Sequence, residues 1–114
     1  MGKKDLKTLS DADLINLSIA EPSAFEEIVV RYQRAFVRKA VSILQSEDDA
    51  CDAVQDAFVR IYTAAGKFKQ QEGASFSSWA YRILVNQCYT SYKKKHKHGL
   101  VSLDFAPELI EVIP

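Results

Sequence analysis

Apolar residues recur at three- and four-residue steps over most of this chain, and polar punctuation divides the recurrence into helices. Residues 1–9 are polar and read as a flexible leader. Ser10 has the chemistry of an N-cap, and Asp11–Ala20 reads as a short helix with Leu14, Ile15, Leu17 and Ile19 as apolar cover. Glu21-Pro22 ends it, because a residue before proline is pushed away from helical angles. Ser23 and Glu26 then fit a capping box for a second helix over residues 24–45. Phe25, Ile28, Val29, Tyr32, Phe36, Ala40, Ile43 and Leu44 form its buried stripe, which leaves Arg31, Arg34, Arg38 and Lys39 in solvent.

Ser46 to Asp49 make a turn and cap a third helix, where carboxylates suit the positive end of the helix dipole. Cys51, Val54, Phe58, Ile61, Tyr62 and Ala65 are expected on its core face, with Gly66 as the C′ residue. Asp52, Gln55 and Asp56 cluster on a neighbouring, exposed face. Residues 67–75 read as a polar loop with Phe68 tucked beneath it. A fourth helix starts near Phe76–Ser78 and runs to about His96, with Gly99 as its stop. Its first half is apolar on most sides and is expected to be central, with Trp79 in the core. Residues 100–114 have no helical period. The expected fold class is all-α: a compact bundle of three main helices plus a short N-terminal helix.

Length and composition narrow the picture. At 114 residues, with 47% hydrophobic and 26% charged positions, the chain reads as one ordinary globular domain. Its apolar runs are far too short for a membrane span, and the polar N-terminus has no signal-peptide core. Cys51 and Cys88 form no CxxC pair and are expected as reduced, buried thiols in a cytoplasmic protein.

Charge changes the picture more. The formal net charge is zero, yet residues 47–56 hold five carboxylates and no base. Residues 82–98 hold Arg82, Lys93, Lys94, Lys95 and Lys97 with two histidines and no acid. Such segregation suggests two surfaces for two different partners.

No catalytic constellation is legible. There is no GxSxG, HExxH or glycine-rich phosphate loop, and His96 and His98 sit among lysines that repel metal cations. The expectation is a non-enzyme with neither cofactor nor metal. The lysines beside Asn86, Gln87, Tyr89, Thr90, Ser91 and Tyr92 suit nucleic acid: cations for phosphate, polar groups for base edges, rings for stacking. The plainer reading is a helix C-terminus enriched in lysine to satisfy the dipole. The acidic patch of the third helix suits a basic partner surface, against the plainer reading of capping aspartates.

Two stretches, DACDAVQDAFVRIYTAAGKF and FSSWAYRILVNQCYTSYKKK, together resemble region two of bacterial sigma factors of the extracytoplasmic-function (ECF) group. Ala24-Phe25-Glu26, Val29 and Tyr32 look like that family's first region-two helix, and the resemblance covers roughly residues 20–98. It implies that Asp52, Gln55 and Asp56 dock on the coiled coil of the beta-prime subunit of core RNA polymerase. It implies that the loop and the start of the fourth helix, through Lys67, Lys69, Ser75, Phe76 and Ser77, take a base flipped from the minus-ten promoter element. It implies further that Arg82, Asn86, Tyr89, Thr90, Lys93 and Lys94 follow the opened non-template strand. An anti-sigma factor is a further partner that the resemblance allows. The family's second, helix-turn-helix domain has no counterpart in these residues, so residues 10–98 read as the region-two domain and 99–114 as a linker toward a missing region-four domain. The competing reading is a non-catalytic interaction module whose lysine face is solvated or binds nucleic acid without sequence preference.

Overall fold

The Ser10 hydroxyl oxygen accepts the Asp13 N–H at 3.1 Å and starts α1, Asp11–Ala20. In this computed structural model, which describes residues 5–68 and 75–95, three longer helices follow: α2 (Phe25–Leu44), α3 (Glu47–Thr63) and α4 (Phe76–Lys95). The described residues are almost wholly helical, the all-α bundle expected from the pattern. The tail at 99–114, with its expected role as a linker, lies outside the described residues, as do His96, Lys97 and His98.

Several local expectations are corrected. The chain is already pinned from Asp5 onward, where the leader was expected to be flexible: Leu6–Thr8 forms a 3-10 turn capped by Asp5, and Leu6 and Leu9 pack on the core. Ser23 does not cap α2, because Pro22–Ala24 forms a 3-10 turn and the capping position falls on Ala24 without a side-chain bond. Gly66 is not the C′ residue of α3, since the helix yields at Ala64 to a third such turn, Ala65–Lys67, that contains it. In α1, Ser18 rather than Ile19 faces inward; its hydroxyl donates to the Ile15 carbonyl at 2.7 Å, and Ile19 is 59% exposed.

Between α2 and α3 the turn is two residues long. Gln45 ends α2 in the left-handed conformation (φ 59°), and the Ser46 hydroxyl oxygen accepts the Asp49 N–H at 3.2 Å to begin α3. The tight turn makes α2 and α3 antiparallel, so that Phe25 at the start of α2 meets Tyr62 at the end of α3, ring centroids 5.3 Å apart. α4 runs back along α3 and also packs on α2.

Small residues make the close approach possible. Ala50, Ala53 and Ala57 are fully buried along α3, as are Ala40 on α2 and Ala80 on α4. This seam displaces the expected core face of α3: Cys51 is exposed and only Cys88 is a buried thiol. Tyr62 is likewise 37% exposed. Around the seam the rings interlock, Phe36 stacking on Phe58 at 5.1 Å and meeting Tyr81 edge-on at 5.0 Å. Phe68, expected beneath the 67–75 loop, is buried against the start of α4, 5.1 Å from Trp79, which is partly buried against the core; residues 69–74 of that loop lie outside the described residues.

α1 is tied down by charge as well as by packing. The Arg31 guanidinium donates to Asp11 at 2.8 Å, to Glu27 at 3.1 Å and to the carbonyl of Leu6 at 3.0 Å. The expectation that Arg31 is solvated is therefore wrong: its position beside the α2 stripe brings it against the N-terminal turn. Among the described residues no helix is long and apolar enough to cross a membrane.

Candidate nucleic-acid and protein interface

Asp52, Gln55 and Asp56 are exposed on α3, at steps of three and four residues that keep them on one side of the helix. Beside them lies a cleft of about 400 Å³ between α3 and α4, lined on one wall by Asp49, Asp52 and Asp56 and on the other by Gln87, Thr90 and Lys94. The acidic and basic stretches thus adjoin rather than oppose one another, because antiparallel packing sets the end of α4 against the start of α3. Lys95 pairs with Asp49 at 2.6 Å across this boundary. With the lysine side chain 61% exposed, such a pair contributes at most about 1 kcal/mol.

Gln87 and Tyr92 were expected to face nucleic acid, and both are buried. Gln87 sits at core register, three residues after Leu84, and its Nε2 reaches Asp56 only at a long 3.5 Å. Its carbonyl oxygen is buried with no hydrogen-bond partner among the described residues, an arrangement that costs stability.

The residues expected to hold a flipped base are dispersed in depth. Lys67 and Ser75 are exposed, Ser77 is partly buried, and Lys69 lies outside the described residues. Phe76 is 4% exposed, with Tyr32, Phe68 and Trp79 around it, so it backs the surface rather than forming it. Ser75 starts α4 by accepting the Ser78 N–H at 3.1 Å, while its own hydroxyl donates to the Ser78 hydroxyl oxygen. Behind this end of α4, the Tyr32 hydroxyl donates to Asp11 at 2.5 Å. Burial, and then the bond to Asp11, push the Tyr32 phenol up to about 12, with Ser77 opposing by hydrogen bonding. Sequence reasoning had placed Tyr32 on the buried stripe and in the stretch resembling the family's first region-two helix, without a hydrogen-bond partner; an aspartate in a neighbouring helix start is the one signal that could have suggested its bond.

Along the outward side of α4 run Arg82, Asn86, Tyr89 and Lys93, spaced by four, three and four residues and therefore in one line. Arg82, Asn86 and Lys93 are exposed, and the Lys93 ammonium lies 5.1 Å over the Tyr89 ring. Thr90 and Lys94 are exposed on the flank facing the cleft, where the Thr90 hydroxyl donates to the Asn86 carbonyl at 3.0 Å. Cation, amide and ring are thus presented in a row without crossing the core. No group of three or more metal-ligating side chains occurs among the described residues.

Known proteins place this bundle. The sequence profile of sigma-70 region 2 matches residues 28–98. The ECF RNA polymerase sigma factor SigM of Mycobacterium tuberculosis is 33% identical over 96 residues, covering 83% of this chain and 48% of that protein. The ECF RNA polymerase sigma-E factor of Escherichia coli is 39% identical over 66 residues, 58% of this chain and 33% of that protein. The RNA polymerase sigma-H factor of Pseudomonas aeruginosa is 33% identical over 63 residues, 55% of this chain and 32% of that protein. No solved structure matches. The chain spans about half the length of SigM. It belongs to the sigma-70 region 2 family, as a region-two domain of the extracytoplasmic-function group.

Proposed function

We propose that this chain binds core RNA polymerase and, in that complex, recognises and helps to open the promoter minus-ten element. The observation that carries the reading is the pair of rows on one bundle: the exposed Asp52, Gln55 and Asp56 on α3, and on α4 the exposed Arg82, Asn86 and Lys93 in line with the half-buried Tyr89. The first row is the surface for the beta-prime coiled coil, a partner of basic character. The second tracks the non-template strand, with Thr90 and Lys94 at its edge. Opening a duplex costs a few kcal/mol per unstacked base. Stacking on an aromatic ring such as that of the half-buried Tyr89 returns about 1–3 kcal/mol per base, and a cationic track adds phosphate attraction. Lys67, Ser75 and Ser77 flank the place for one extruded base, with Phe76 beneath the surface there.

The α3 row is tested by the double substitution Asp52→Lys and Asp56→Lys. Both side chains are exposed, so the thermal midpoint should stay within a few degrees of wild type. Binding to core polymerase is expected to fall more than tenfold. A folded double variant that binds core polymerase at wild-type affinity contradicts this docking face.

A further inference from the structure

The cations of α2 and the half-buried Tyr81 have no part in either surface described so far. Beyond its first turn, from Val29 to Gln45, α2 carries Arg31, Arg34, Arg38 and Lys39 and no acid. Arg31 is neutralised by Asp11 and Glu27. Arg34 and Arg38, by contrast, are exposed and form no ion pair among the described residues. A shallow groove of about 370 Å³ lies beside them, lined by Ala35, Arg38, Lys39, Ser42 and Tyr81. Tyr81 forms its α4 wall, held edge-on by Phe36 at 5.0 Å. The next residue along α4, Arg82, begins the outward row already described. The groove and the outward row therefore meet at the same turn of α4, about 100° apart around the helix.

We propose that this α2 groove holds the phosphate backbone of the double-stranded DNA adjoining the opened minus-ten strand. The inference rests on the promoter-DNA reading above and extends it to a second, duplex contact. Its lining argues for phosphate rather than bases: two cationic side chains, one hydroxyl and one phenol are present, and no amide that could read a base edge. Arg34 and Arg38 are separated by one helical turn, a rise of about 6 Å. That is close to the roughly 7 Å between alternate phosphates along one strand's axis. An acidic peptide is the rival occupant; adjacency to the nucleic-acid row favours DNA.

The test compares two DNAs on the chain bound to core polymerase: a minus-ten single strand, and the same strand joined to an upstream duplex. For Arg34→Ala with Arg38→Ala, the slope of log affinity against log salt for the forked DNA should become shallower by about 2, one released counterion per lost phosphate contact. Single-strand affinity should stay within twofold of wild type, and Arg34→Lys with Arg38→Lys should retain the wild-type slope. An unchanged slope on forked DNA overturns the inference, as does an equal loss on both DNAs, which would put these arginines on the single-strand track. Unchanged DNA binding with lost affinity for a polyglutamate probe also overturns it, in favour of an acidic protein partner. If the wild-type complex holds neither DNA, the promoter reading itself has failed, a result distinct from all of these.

Discussion

Tyr32 joins the N-terminal segment to the bundle through one hydroxyl, and its chemistry predicts a specific pH dependence. The folded state holds this phenol neutral up to about pH 12, while an unfolded tyrosine ionises near 10. The native state therefore keeps a proton that the unfolded state has lost, and stability falls as pH rises across that window. The contribution is complete below pH 10. Urea unfolding of wild type and Tyr32→Phe between pH 9 and 12 isolates it: the wild type should lose stability relative to the variant as pH rises. A constant difference contradicts the assignment. Gln87 makes the opposite kind of prediction. Because its carbonyl oxygen is buried without a partner among the described residues and its amide nitrogen donates to Asp56 only at a long distance, Gln87→Leu should be neutral or stabilising by up to about 1–2 kcal/mol in thermal unfolding. A large loss would mean that the amide is satisfied in solution.

At the scale of elements, the two-residue turn between α2 and α3 is controlled by two opposed local terms. Gln45 adopts a left-handed backbone that a residue with a Cβ resists, so Gln45→Gly should raise stability by about 1 kcal/mol. Ser46 caps α3, and Ser46→Ala should lower stability by about 1 kcal/mol. Denaturant midpoints of the two variants moving in the same direction would refute this account of the turn. These caps also show what was legible beforehand. Ser10 stands directly before its helix, so spacing alone located α1. Ser46 to Asp49 were expected to make the turn before the third helix, but Ser46 alone is the cap and Glu47 to Asp49 are already the first turn of α3. Ser23 has the same chemistry, but Pro22 pre-sets a 3-10 turn that consumes the capping position. Periodicity found the α2 stripe because its residues are large. On α3 it chose Cys51 and Tyr62 over Ala50, Ala53 and Ala57, because hydrophobicity does not reveal that close helix packing requires small side chains.

In the whole molecule, the zero net charge resolves into surfaces whose arrangement depends on topology. The sequence separates the acids of α3 from the lysines of α4 by a loop, and antiparallel packing returns them to the two walls of one cleft. That proximity was not legible from spacing, nor was the diversion of Gln87 and Tyr92 into the interior. The rows themselves were legible, since Asp52, Gln55 and Asp56, and likewise Arg82, Asn86, Tyr89 and Lys93, follow helical register. Their placement on two helices of one bundle underlies the proposal that polymerase and an opened strand are held together, and this is the claim to measure. The most direct measurement assembles the chain with core RNA polymerase and titrates a fluorescent minus-ten non-template strand against a scrambled strand of equal length. The account predicts that the complex forms and that the minus-ten strand binds at least tenfold more tightly. A folded chain that does not bind core polymerase, or a complex that holds both strands equally, would contradict it.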